Sequence, residues 1–280
     1  ASGNAETVRA LILGGAELDV KESMWGQTPL MFAAAAGRTE VVRELLLAGS
    51  DPAITALVID MPSRDEFDRE DQRARNEQMS ELQSTASSST VPPNEQQLLL
   101  VQQRDRMDQP LSHAQLVGGY GGMTALLLAV RDGHASTAMA LLDHGARIDQ
   151  VSEGDHTSPL LMALINGHFG LAMELFQRGA DPTITSDAGA TPLYIALNTE
   201  WIPKSRHPQP THRLQQEVTY LDLMRAFLEA GVDPNARLTK QLWYTTFGDD
   251  YLRTNRTGAT PFWRAAYGLD LRAMRLLIEF

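Results

Sequence analysis

A chain of 280 residues with 43% apolar content has material for a substantial core. Its formal charge of −11 argues against nucleic acid or an anionic membrane surface as a partner. It contains no cysteine, which removes disulfides, thiolate nucleophiles and thiolate metal ligands together, and which leans towards a periplasmic or secreted location over a cytoplasmic one.

The chain opens at Ala1-Ser2 without an initiator Met or a signal peptide, as a processed or trimmed protein does. Gly3 to Gly15 has the pattern of the second helix of a pair whose first helix is missing. Thr28-Pro29-Leu30 then reads as a helix start. A hydroxyl accepts an orphan N–H, and the proline at the first helical position has no N–H to lose. Ala33, Ala34 and Gly37 follow, and Val41 to Pro52 supplies a second helix ending in a glycine turn. Ala56–Asp60 is strand-like. Arg64 to Gln83 is a charge-rich stretch, Ala86 to Pro93 has linker composition, and Asn94 to Met107 has helical spacing. This first insertion reads as a solvated surface arm, with a partner-binding arm as the competing reading.

The helix pair then returns. Thr124-Ala125-Leu126 leads to Gly133 and a second helix from Ala138. Ser158-Pro159-Leu160 leads to Asn166-Gly167 and a second helix closed by Gly179-Ala180-Asp181-Pro182. Thr191-Pro192-Leu193 starts a copy split by an insertion over 198–218 that resumes at Leu223. Thr260-Pro261-Phe262 starts the last, and its second helix runs to Phe280. The step is 34 residues from Thr124 to Ser158 and 33 from Ser158 to Thr191. Pairs this short cannot bury their own apolar faces and must stack on copies of themselves. Both ends read as cut, so the chain is expected to continue in both directions.

These segments resemble ankyrin repeats, which have a 33-residue period and a T-P-L-H-x-A signature, and the long insertions resemble those of bacterial ankyrin proteins. The resemblance implies an all-α solenoid of helix-turn-helix units joined by outward hairpins. It divides into a partial repeat (1–22), a repeat (23–55), an insertion (56–118), repeats at 119–152 and 153–185, a repeat with an insertion (186–237), and a loop insertion with a partial repeat (238–280). The signature histidine is replaced throughout, by Met31, Leu127, Leu161, Tyr194 and Trp263, and the last repeat has Leu269 where the inter-helix glycine belongs.

In ankyrin proteins the hairpin tips and first helices form a concave surface that binds a partner protein. Carried onto this chain, those positions include Trp25, Gln27, Tyr120, Met123, Asp155, His156 and Arg256, with Arg131, Asn166 and Tyr267 at the inner-helix ends. Independently, 12 of the 18 aromatic residues lie from Tyr194 onward. Trp201, Trp243, Tyr244, Phe247 and Tyr251 sit on insertions, with His207 among nearby cations, and rings beside cations make interface hot spots. The expected site is therefore a concave groove in the C-terminal half, bordered by these aromatics, that takes a protein or peptide. The alternative is that the rings fold back and seal the stack of a structural spacer.

No catalytic, cofactor or metal site is expected. His134 and His168 follow a glycine at the inter-helix turn, where ankyrin repeats carry Gly-His structurally. His207, His212, Asp249 and Asp250 match no metal-ligand spacing. No phosphate loop, dinucleotide fingerprint or nucleophile elbow occurs, and no apolar run reaches the length of a membrane span.

Overall fold

The computed structural model describes residues 4–86, 111–201, 215–245 and 254–280, with backbone alone for 77–86 and 245. In chain order the elements are α1 (Ala5–Leu13), α2 (Pro29–Ala35), α3 (Thr39–Leu47), β1 (Val58–Asp60), α4 (Met61–Ala86), α5 (His113–Val117) and β2 (Gly119–Gly121). They continue with α6 (Ala125–Arg131), α7 (Ala135–Asp143), α8 (Pro159–Ile165), α9 (Phe169–Gln177), α10 (Pro192–Glu200), α11 (Tyr220–Glu229), a single 3-10 turn (Trp243–Thr245), α12 (Pro261–Tyr267) and α13 (Leu271–Glu279). The chain forms two units, residues 1–58 with 119–280, and residues 59–118. The stretch expected to be helical from Asn94 to Met107 lies outside the described residues.

Each inner helix of the larger unit starts by the same chemistry. The hydroxyls of Thr28, Thr124, Ser158, Thr191 and Thr260 accept the backbone N–H three residues on, at 3.1–3.4 Å. Two residues after the cap, Leu30, Leu126, Leu160 and Leu193 are buried. Five after it, Ala33, Ala129, Ala163, Ala196 and Ala265 are small and buried where the next inner helix approaches. The inner helices therefore stack directly, α2 on α6 on α8 on α10 on α12, with the outer helices behind them. The α2–α6 contact is made although residues 59–118 intervene in sequence. Each buried leucine contributes about 2 kcal/mol by removing its apolar surface from water.

The smaller unit holds α4 and α5, which pack on each other. The charge-rich stretch is helical, and Arg64–Asp68, Asp65–Arg69 and Asp71–Arg75 pair one turn apart along its exposed surface. Ser112 and Gln115 cap α5 reciprocally.

The inter-helix turns tie neighbouring repeats together. Gly37, Gly133 and Gly167 take left-handed backbone there, with φ of 63°, 74° and 73°. After two of these glycines a histidine reaches into the preceding repeat. His134 Nε2 donates to the Ala35 carbonyl at 3.1 Å, and His168 Nε2 donates to the Arg131 carbonyl at 3.0 Å. A carbonyl only accepts, so Nε2 carries the proton in both.

The last repeat breaks the pattern. Leu269 occupies the left-handed position with φ of 54°, and its side chain is 86% exposed. Leucine pays there with strain of about 1–2 kcal/mol and recovers little by packing. Leu269→Gly is expected to raise the stability of this region by about 1 kcal/mol in urea denaturation. A lower midpoint for the glycine variant would mean that the exposed leucine makes a stabilising contact.

Candidate functional site

The hairpin tips are shaped by carboxylates. Glu22 accepts the backbone N–H groups of Met24 and Trp25 at 2.6 Å and of Gln27 at 3.0 Å. These bonds, that from Gln27 foremost, hold its pKa below the usual range and present Trp25 outward. Asp155 does related work in its own hairpin, accepting from the Ser152 hydroxyl at 2.6 Å and from Thr157 N–H at 3.2 Å. The glycines of 119–122 are dictated by close approach. A Cβ on Gly119 would lie 2.3 Å from the Gly154 carbonyl oxygen, and one on Gly121 would lie 2.2 Å from that of Leu57. His156 takes φ of 56° where Gly26, Gly122, Gly189 and Gly258 stand in the other hairpins, and its Nδ1 lies 2.7 Å from Asp187 Oδ1.

Between these tips and the inner helices lies a recess of about 570 Å³. Nine of the sequence-predicted residues line it: Trp25, Gln27, Tyr120, Met123, Arg131, Asp155, Asn166, Trp243 and Tyr244. Trp25 and Tyr120 are 44% and 47% exposed. Trp243 and Tyr244 meet edge to face, ring centroids 5.6 Å apart. Arg131 is gripped by Asp132 through two bonds of 3.0 and 2.9 Å, and that hydrogen bonding raises its pKa. Burial pushes the Tyr244 phenol well up, with the Asp155 carboxylate next in effect.

Sequence reasoning passed over Phe32, Leu128 and Met162, which also line the recess. All three stand four residues after a capping hydroxyl, so superposing the repeats marks one groove position per copy. The placement of the groove also differs from expectation. The recess is built on the first three tips, Trp25, Tyr120 and Asp155, and the insertion bearing Trp243 and Tyr244 supplies a wall. Further along, α10 is buried from Pro192 to Thr199 and offers no open face.

Four predicted residues lie elsewhere. His156 is exposed on its hairpin, paired with Asp187. Arg256, expected at an open tip, is 1% exposed and lies over the Tyr267 ring at 5.7 Å. It packs inside the fold and offers no surface to a partner. Tyr267 is stacked on Trp263 with centroids 5.1 Å apart. Trp201 also turns back. Its ring packs over Gly268 and its indole N–H donates to Asp270 Oδ2 at 2.8 Å. His207, Phe247 and Tyr251 lie outside the described residues, as do His212, Asp249 and Asp250. Among the described residues no group of His, Asp and Glu could hold a metal ion, and no helix is long and apolar enough to cross a membrane.

Asp270 shows why the last junction differs. It stands where His134 and His168 stand in earlier turns and reverses their polarity, accepting where they donate. Oδ2 takes the Trp201 indole N–H and the Tyr220 hydroxyl at 2.6 Å, and Oδ1 takes the N–H groups of Arg272 and Ala273. Burial alone would raise its pKa, but these donors together outweigh burial and lower it. A depressed carboxyl pKa stabilises the fold above its unfolded value, near 4, and the contribution is lost as pH falls below that. Wild-type protein should therefore lose stability relative to Asp270→Asn as pH drops below about 4, read by urea denaturation at each pH. Parallel curves would show that Asp270 stays unlinked to acid unfolding.

The family model for ankyrin repeats matches residues 1–61 and 96–186, in three copies. The chain belongs to the ankyrin-repeat family, a class of stacked, typically non-enzymatic repeat proteins that are generally protein–protein interaction modules. Comparison with curated proteins gives no match to this chain.

Proposed function

We propose that this solenoid binds a protein or peptide partner, seating one segment of it in the recess between the first three hairpin tips. The observation that carries the reading is the recess itself. It is a concavity of about 570 Å³ with exposed Trp25, Phe32, Leu57 and Tyr120 around it, polar groups within, and an insertion walling it. Rings of this kind bury large area at small entropic cost, which suits them to anchor a partner. The spacer alternative draws on Trp201 and Arg256, which do fold back. It leaves the exposed rings around the recess without a role.

The reading is tested by selecting binders from a random peptide display library on the immobilised chain, then titrating an enriched peptide against wild type, Trp25→Ala and Tyr120→Ala. Each variant is expected to bind at least about tenfold more weakly, since buried aromatic anchors contribute more than 1 kcal/mol apiece. Equal binding by folded wild type and both variants would remove the recess from the interface.

A further inference from the structure

Residues that line the recess carry polar oxygens that the fold leaves unused. Thr157 is 1% exposed, and among the described residues its hydroxyl has no hydrogen-bond partner. The Tyr244 hydroxyl is likewise buried without one. Asp155 commits Oδ1 to Ser152 and Thr157 N–H, and among the described residues no hydrogen bond reaches its Oδ2. A buried hydroxyl left without a partner is costly, and native proteins keep few. Three residues with acceptor oxygens to spare therefore line one aromatic-walled recess, the two hydroxyls lying buried behind its surface.

The charge of the recess fixes the kind of group that would satisfy them. Among the described residues Arg131 is its only cationic lining residue, and the fork from Arg131 to Asp132 neutralises it locally. Among the described residues no cation is bonded to Asp155, so the interior they form is net negative. An anionic anchor would meet that carboxylate unopposed. A purely apolar anchor would bury the Asp155 carboxylate with nothing to bond and leave the two hydroxyls unsatisfied, which sites of this type reject strongly. A cation on an apolar stem satisfies both halves: its head donates to the three oxygens, and its stem and charge lie against the faces of Trp25, Tyr120 and Trp243.

We infer that the recess takes an arginine or lysine side chain from a basic segment of the partner. This deepens the proposed peptide-binding reading and rests on it. The chain's formal charge of −11 acts in the same direction at longer range, drawing in a basic segment with an attraction that salt screens.

The test uses synthetic nonapeptides taken from the display selection, each with its anchor residue as arginine, lysine or neutral norleucine. They are titrated against the intact chain, Asp155→Asn, Thr157→Val and Trp25→Ala. Asparagine keeps the Oδ1 acceptor that holds the hairpin, so Asp155→Asn should melt as wild type does. It should bind the basic peptides about tenfold to a hundredfold more weakly. Thr157→Val deletes a hydroxyl that none of the described residues uses. It should melt at the same temperature or higher while losing affinity several-fold, a combination that a structural role for Thr157 does not produce. Norleucine should weaken binding to wild type and make it insensitive to Asp155→Asn. Norleucine peptides that bind as tightly as basic ones, with Trp25→Ala still damaging, would overturn the cationic anchor and leave the recess standing. Basic peptides indifferent to Trp25→Ala as well would overturn both.

Discussion

Arg264→Met is expected to cost about 3 kcal/mol of stability in the C-terminal repeats. The Arg264 side chain is 1% exposed in the middle of α12. Its Nε donates to Asn198 Oδ1 at 2.7 Å, and its Nη2 donates to the Trp201 carbonyl. The guanidinium therefore closes the end of α10, where no glycine turn satisfies the last carbonyls, and a cation suits that end of a helix dipole. Methionine keeps most of the stem's volume but leaves these buried acceptors bare, each worth about 1–3 kcal/mol. Arg264→Lys keeps the charge and loses the fork, so an intermediate loss is expected. The measurement is urea denaturation followed by circular dichroism, because a neutral denaturant does not screen the charge. A methionine variant with the wild-type midpoint would show that the guanidinium is energetically silent.

Gly133→Ala is expected to cost about 3 kcal/mol, while Gly145→Ala costs about 1. Both glycines have left-handed backbone, with φ of 74° and 95°, so both variants bear the strain of an L residue in that region. Their surroundings differ. A Cβ on Gly145 meets nothing within 4 Å, whereas one on Gly133 would sit 2.4 Å from His168 Cε1. The imidazole must then leave its seat and give up its bond to the Arg131 carbonyl. The difference between the two variants isolates the histidine bridge from backbone strain. Equal losses would mean that the bridge contributes nothing to coupling between repeats.

The solenoid was legible because its determinants recur. A hydroxyl, then proline or alanine, then leucine (phenylalanine in the last copy) starts each inner helix, and a small residue five places after the hydroxyl permits the stack. The same few contacts are thus written several times, and chance does not imitate that. The groove tips were legible for the same reason, since Trp25 and Asp155 hold matching places three residues before the capping hydroxyl and Tyr120 stands one place earlier in its own hairpin. Phe32, Leu128 and Met162 escaped because each lies inside an apolar run, where a groove-lining side chain and a core side chain have the same character. Trp201 was placed outward because an insertion's sequence does not say which of its rings the fold will cover, and Arg256 because the resemblance puts it at a hairpin tip. Their actual partners, Asp270 and Tyr267, are 69 and 11 residues away in the chain. Leu269 marked the last turn as irregular from sequence. The compensating network of Trp201, Tyr220 and Asp270 joins side chains 50 to 69 residues apart, which no local pattern brings together.

The direct packing of α2 on α6 has a kinetic corollary. Neighbouring inner helices elsewhere in the first half of the stack are joined by a single repeat's length of chain. The α2–α6 junction must close a loop about three times longer, at an entropic cost greater by about 1 kcal/mol. Nucleation is therefore favoured among α6 to α9, where contacts are local, and the N-terminal helices dock afterwards as a separate event. Because Trp25 and Phe32 arrive with that late docking, the recess becomes complete only at the end of folding.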